Sequence, residues 1–81
     1  MRITVKLFAI LRDRAGVAEV ELEIPPGSSV SQAAELLAMQ HPSIRDLLGR
    51  AAFAINREYE PPKTILNEGD ELAAIPPVSG G

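Results

Sequence analysis

The first segment of the chain alternates apolar and polar side chains. From Arg2 to Phe8, three apolar residues fall on one face and Thr4, Lys6 and Phe8 on the other. A period of two is typical of a half-buried strand. The segment after it, 9–15, has helical composition and is followed by Gly16, which predicts a two-turn helix with a glycine cap.

A second alternating segment spans residues 18–24 and stops at Pro25-Pro26-Gly27. Its expected inward residues are Ala18, Val20, Leu22 and Ile24. The outward residues are glutamates, so Arg2 and Lys6 of the first strand could pair with them if the two strands are neighbours.

The main helix is predicted to begin after Ser29, because Ser29 and Gln32 form a capping-box pattern. Its apolar stripe has helical spacing and consists of Val30, Ala33, Ala34 and Leu37. Pro42 ends the helix, and residues 44–48 predict one further short helical turn.

Three shorter segments complete the pattern. Residues 51–56 predict a third strand with Phe53 and Ile55 on one face and three small or polar residues, including Ala54, on the other. Arg57-Glu58 is the expected hairpin turn and precedes a short strand. Residues 67–70 predict a turn before the last strand, 71–75.

This order of elements predicts an α+β fold of the β-grasp (ubiquitin-like) type, with a mixed sheet packed on one main helix. Residues 1–75 would form the domain, and residues 76–81 an extended C-terminal Gly-Gly tail. The expected core consists of Val5, Leu7, Val20, Leu22, Val30, Ala33, Leu37, Phe53 and Leu72.

Composition narrows the function classes. A length of 81 residues allows one domain, and a net charge of −3 argues against nucleic acid as a partner. No apolar run could span a bilayer, so we expect a cytoplasmic protein with no membrane partner. The absence of cysteine excludes disulfides, thiolate metal sites and a cysteine persulfide on this chain.

The interior of the sequence offers little catalytic material. His41 is the only histidine and has no second metal-ligand residue near it, so no metal site is expected. No catalytic triad and no glycine-rich phosphate loop are present. The chain is therefore not expected to be an enzyme on its own.

The final residues, Pro76-Pro77-Val78-Ser79-Gly80-Gly81, are the most informative part of the sequence. The prolines cannot continue a β-ladder, and the glycines have no Cβ. Six residues at roughly 3.3 Å each reach about 20 Å, far enough for the terminal carboxylate to enter another protein's active site. The alternative is an ordinary frayed chain end.

The outward face of the predicted sheet is partly apolar near the start of this tail. If Leu72 lies in the core, alternation exposes Ile75, and Phe8 lies on the outward face of the first strand. Such a flat apolar patch is typical of a partner site. Two alternatives stay open: Phe8 could lie under the short helix, or a register shift could bury Ile75.

Three segments resemble the MoaD-type sulfur carriers, the small subunits of molybdopterin synthase. The first is Leu7-Phe8-Ala9 with Arg12 and Gly16, and the second is the hairpin Ala54-Ile55-Asn56-Arg57-Glu58-Tyr59. The third and most specific is the ending from Leu66 through Gly69-Asp70-Glu71 to Gly81. One departure is Ile75, where the family often has an aromatic residue.

The resemblance implies a carrier cycle. A MoeB-type adenylyltransferase would use ATP to activate the carboxylate of Gly81, and a sulfur donor would convert it to a thiocarboxylate. The tail, Pro76, Pro77, Val78, Ser79 and Gly80, would thread into the large subunit, which carries the catalytic groups. There the sulfur would attack cyclic pyranopterin monophosphate in molybdenum cofactor biosynthesis, with two carriers used per pterin.

We therefore expect Phe8, Tyr59 and Ile75 to contact the partner, and this chain to bind no cofactor itself. Other functions remain open at this point. The acceptor could belong to thiamine thiazole synthesis or tRNA thiolation. The chain could instead be a protein modifier joined to lysines through Gly81, or a plain binding domain with an incidental Gly-Gly end.

Overall fold

The computed structural model describes residues 1–77. The strands are β1 (Arg2–Leu7), β2 (Glu19–Glu23), β3 (Ala52–Ile55), β4 (Glu58–Tyr59) and β5 (Glu71–Ile75). The helices are α1 (Ala9–Ala15), α2 (Val30–Gln40) and α3 (Arg45–Leu48), with a 3₁₀ turn at Pro42–Ile44 before α3. No helix within these residues is long and apolar enough to cross a membrane.

The five strands form one mixed sheet in the order β2-β1-β5-β3-β4. In its centre, β1 and β5 run parallel, while β2 and β3 lie antiparallel on either side of them. The long helix α2 joins β2 to β3 and buries its apolar stripe in the core. The predicted β-grasp fold is therefore confirmed.

The core lies between the sheet and the helices, and its composition follows the predicted periodicity. Val5, Leu37 and Leu72 are among its fully buried side chains. Of the predicted core residues, Val20 alone is only half-buried, whereas Leu22 on the same face of β2 is fully buried. The prediction that Ala18 faces inward is wrong: β2 begins at Glu19, and Ala18 is exposed.

Each of the first backbone amides of α2 donates a hydrogen bond, and two of these bonds attach the loop at residues 62–64 to the helix. The Val30 and Ser31 amides donate to the carbonyls of Thr64 and Pro62. The Gln32 amide donates to the Ser29 hydroxyl, and the Gln32 side chain accepts from the Ser29 amide, so the predicted capping box is confirmed. The orphan donors of a helix start are thus satisfied.

Of the two basic residues of β1 that were expected to pair with glutamates of β2, only Arg2 does so. Arg2 bonds Glu23 of β2 at 2.9 Å, and this hydrogen bond raises the pKa of the Arg2 guanidinium. Lys6 does not pair with a β2 glutamate; its Nζ lies 3.4 Å from Glu71 of β5. The parallel neighbour β5, which the local pattern of the sequence does not reveal, supplies that carboxylate on the same face.

We expect Leu37→Ala to lower the free energy of unfolding by about 2–5 kcal/mol, because Leu37 is only 1% exposed and its loss leaves a cavity in a small core. Urea unfolding followed by circular dichroism measures this change. Met39→Ala is the matched control on the same helix, since Met39 is 70% exposed. Equal losses in the two variants would contradict this account of the core.

Candidate docking face and tail root

The outer face of the sheet, away from α2, carries a row of aligned residues across four strands. The pairing register places Lys6 opposite Ala73, Ala73 opposite Ala54, and Ala54 opposite Tyr59. The two middle side chains are alanines, whereas those at the ends, Lys6 and Tyr59, are long, so the surface along this row is concave. Ala54 and Ala73 are almost fully buried even though they lie on the outer face.

A hollow of about 350 Å³ lies over these two alanines. We call it the sheet hollow; its lining residues are Lys6, Phe8, Ala54, Arg57, Tyr59, Glu71, Ala73 and Ile75. The three predicted partner-contact residues therefore lie around one concavity. The surface is not flat as expected, because the small alanines form a floor below the larger side chains at the rim.

Phe8, Tyr59 and Ile75 differ in how far they are exposed. Phe8 is 43% exposed and Tyr59 is 70% exposed, whereas Ile75 is half-buried. Phe8 lies outside β1, which ends at Leu7, and it directly precedes α1. Neither alternative from the sequence holds: Phe8 is not covered by α1, and the register of β5 keeps Ile75 on the outer face.

The hairpin between β3 and β4 turns one residue earlier than predicted. Asn56 and Arg57 form the turn with φ angles of 50° and 74°, and Glu58 already belongs to β4. Positive φ at both central residues is typical of the tight turn that joins twisted antiparallel strands, and asparagine tolerates it well. This turn brings Arg57 and Tyr59 to the rim of the sheet hollow.

A pair of polar side chains, the exposed Asn56 and the buried Asp70, fixes that turn against the start of β5. The Asn56 side chain donates to Asp70 Oδ1 at 3.0 Å and accepts from the Glu71 amide at 3.1 Å. Asp70 Oδ2 accepts from the Asn67 amide at 2.7 Å. Asp70 is only 8% exposed, so these bonds satisfy a carboxylate that burial would otherwise penalise.

The prolines at the root of the tail line a second hollow, on the other side of Phe8 and Ile75. Pro76 and Pro77 follow the end of β5 directly and lie outside every strand and helix. Val78, Ser79, Gly80 and Gly81 lie outside the described residues. The division of the chain into a domain and a tail after residue 75, and the role of each tail residue, therefore stay predictions.

Within residues 1–77, the acidic side chains and His41 form no metal centre. No three side chains of the His, Asp and Glu types come together there as metal ligands would. His41 caps the C-terminus of α2, and its amide donates to the Leu37 carbonyl.

Comparison with known proteins decides the family. A profile of the ThiS family matches residues 5–81. The chain belongs to the ThiS family. It is 39% identical to a molybdopterin synthase sulfur carrier subunit of Chlamydomonas reinhardtii, over all of both chains. It is 37% identical to a protein of the same name from Arabidopsis thaliana, over all of this chain and 84% of the relative.

A solved structure shows the same fold. The crystal structure of SAMP1 (small archaeal modifier protein 1) from Haloferax volcanii superposes with a TM-score of 0.89 at 30% identity, over all of both chains. This ThiS family member is thus similar both to proteins named as sulfur carriers and to proteins named as modifiers.

Several residues of the docking face were missed by sequence reasoning. Lys6 and Ala73 share the outer face by alternation, but only the parallel register of β1 and β5 makes them neighbours. The Asn56–Asp70 pair joins residues that are 14 positions apart. The one available signal was the Asn-Arg pair at the hairpin, because asparagine favours positive φ.

We expect Asn56→Asp to destabilise the fold by about 1 kcal/mol, because it replaces a hydrogen bond to the buried Asp70 carboxylate with two carboxylates about 3 Å apart, while position 56 itself stays open to water. The exchange variant, Asn56→Asp combined with Asp70→Asn, should recover most of that loss. In the exchange variant, the side-chain amide now at position 70 can donate to the carboxylate now at position 56, and every backbone amide keeps an acceptor.

Urea unfolding of the two variants and of Asp70→Asn forms a double-mutant cycle for this pair. The exchange variant has the same net charge as the original chain, so a difference between them does not come from overall charge. If the exchange variant is as unstable as Asn56→Asp alone, the pair does not hold the turn in the way described.

Proposed function

We propose that this ThiS family member is the sulfur carrier subunit of a molybdopterin synthase. The observation that carries the proposal is the position of the tail root beside an outer face with an apolar rim. Relatives with that name match the chain over its full length. A carrier needs a docking face and a reactive end, and its catalytic groups reside on its partners.

The reactive group in this proposal is the carboxylate of Gly81. An adenylyltransferase joins it to AMP from ATP and releases pyrophosphate, and a sulfur donor then displaces AMP to leave a thiocarboxylate. Without a Cβ at Gly80 and Gly81, a narrow channel can accept the backbone and the carbonyl carbon is open to attack. In the large subunit, a carbon of cyclic pyranopterin monophosphate accepts the sulfur and loses an oxygen, and water cleaves the bond between the sulfur and the Gly81 carbonyl carbon, which restores the carboxylate.

The docking face in this proposal is the rim of the sheet hollow. Phe8, Tyr59 and Ile75 present apolar surface around a concave floor, which suits insertion of a partner's side chain. Ile75 and the tail are continuous along the chain, so a partner that covers the hollow also holds the start of the tail. The same face serves both the activating enzyme and the synthase, since both have to reach Gly81.

A second candidate function is protein modification through Gly81. It is favoured by the similarity to the small archaeal modifier protein, which covers the whole of this chain. The activation by adenylation would be the same, and only the attacking group would differ. Mass spectrometry separates the two functions, because a carrier exchanges one oxygen for sulfur and a modifier gains a whole protein.

We expect deletion of Gly81 to leave folding and docking nearly unchanged but to stop adenylation and sulfur transfer. The deletion moves the carboxylate about 3.5 Å back along an extended chain, which destroys its alignment in both active sites. Intact-mass measurement after incubation with the activating enzyme, ATP and a sulfur donor gives the readout. The original chain should exchange one oxygen for one sulfur, and dithiolene formation by the deletion variant would contradict the mechanism.

We expect Phe8→Glu and Ile75→Glu each to weaken binding to the synthase large subunit by about 30-fold or more, the loss typical of an interface hot spot. Titration calorimetry measures this change in Kd. Met39→Glu is the matched control, because Met39 is an exposed apolar residue on α2, behind the sheet. Unchanged binding in both docking-face variants would show that the sheet hollow is not the interface.

A further inference from the structure

The hollow at the root of the tail is larger and more apolar than the sheet hollow. It has a volume of about 760 Å³, and we call it the tail-root hollow. Its lining residues are Phe8, Ala9, Ile10, Leu47, Arg50, Ile75, Pro76 and Pro77. Phe8 and Ile75 line both hollows, so the two concavities form one continuous surface with these side chains as the ridge between them.

The backbone at the entry to α1 is strained where it forms the wall of this hollow. Ala9 has a φ angle of 50°, and a residue with a Cβ pays roughly 1–2 kcal/mol to adopt that left-handed conformation. The neighbours of Ala9 on both sides line the hollow, and Ile10 is left 42% exposed while Leu11 is fully buried. Strained residues of this kind cluster at functional sites, where the surrounding structure holds them in place.

The position of the tail determines which protein can cover this hollow. Pro76 and Pro77 form part of its wall, and four residues follow Pro77 in the sequence. At about 3.3–3.6 Å per residue, the terminal carboxylate cannot lie more than about 14 Å from Pro77. A protein whose active site receives that carboxylate must therefore approach the tail-root hollow closely.

Arg50 gives this apolar hollow a positive rim. Among residues 1–77, no carboxylate lies within 4.0 Å of its guanidinium; Arg45 and Arg57 are likewise without such a pair there, but they do not line this hollow. The chain as a whole has a net charge of −3, so the positive charge of Arg50 beside the tail is opposite in sign to the net charge of the protein. A guanidinium at the edge of an apolar surface is a suitable partner for a carboxylate on a docked protein.

We propose that the tail-root hollow is a second contact surface for the protein that accepts sulfur from the tail. That protein places an apolar side chain against Ile10 and Ile75 and sets a carboxylate against Arg50. The proposal rests on the proposed carrier function and extends its interface from the sheet face to α1 and α3.

The synthase partner, rather than the activating enzyme, is the occupant that this surface fits. The relatives are named as a subunit of molybdopterin synthase, so the partner that their names give is the rest of that complex. The sheet hollow alone is small for such a complex, since stable interfaces bury about 800 Å² or more on each partner. Adding the tail-root hollow extends the contact around the whole base of the tail.

Two pairs of matched variants test the proposal. Arg50→Glu is compared with Arg45→Glu, which makes the same charge change on α3 but lies at a different groove, lined by Met39 and Phe53. Ile10→Gln is compared with Met39→Gln, the same kind of change behind the sheet. Binding to the synthase large subunit and intact mass after sulfur loading are measured for all four and for the original chain.

We expect Arg50→Glu and Ile10→Gln each to weaken binding by about tenfold or more, and both control variants to stay within about twofold of the original chain. Arg50→Glu should also slow association at low salt and lose that difference at high salt, because the long-range attraction is screened. Circular dichroism should show all four variants folded, since the substituted residues are exposed on the surface.

Three results would overturn the proposal: original affinity in both hollow variants, an equal loss in Arg50→Glu and Arg45→Glu, or a defect confined to adenylation. The carrier function itself fails by a different result, namely that the original chain gains no sulfur. If the original chain gains sulfur and binds while the hollow variants bind equally well, the carrier function stands and the second contact surface does not.

Discussion

The parallel pairing of β5 with β1 is the contact on which the rest of the structure depends. It joins the last strand of the chain to the first, with Val5 opposite Leu72 and Leu7 opposite Ala74, all four buried in the core. Because the two strands run in the same direction, the end of β5 lies beside the end of β1. The tail therefore leaves the domain next to Phe8 and α1, and both hollows form at that point.

The outer face shows how small residues can shape a binding surface. Ala54 and Ala73 lie side by side in the register, and larger residues surround them. A partner side chain that enters the sheet hollow would replace the missing volume of those two alanines. The Asn56–Asp70 pair holds the hairpin that supplies one side of the rim, so a hydrogen bond to a buried carboxylate supports an exposed apolar surface.

The start of the tail, Pro76 and Pro77, lines the tail-root hollow, whereas its last two residues, Gly80 and Gly81, carry no side chains. Pro76 and Pro77 have no amide hydrogens, so they end the ladder of β5 and make a wall of the tail-root hollow. Arg50 adds the charge that an apolar surface lacks. In the carrier proposal, affinity resides in the domain, and chemistry resides in a carboxylate that carries almost no recognition of its own.

The sequence by itself determined the order of elements, the capped helix α2, most of the core and the outward position of Phe8 and Ile75, because these follow from periods of two and 3.6 residues and from local capping bonds. Its Gly-Gly ending also pointed to the carrier family. Tertiary structure decided the partner of Lys6, the alanine floor, the Asn56–Asp70 pair and the hollow beside Arg50. Each of these depends on which strands and helices become neighbours, and local periodicity carries no information about pairing between distant segments.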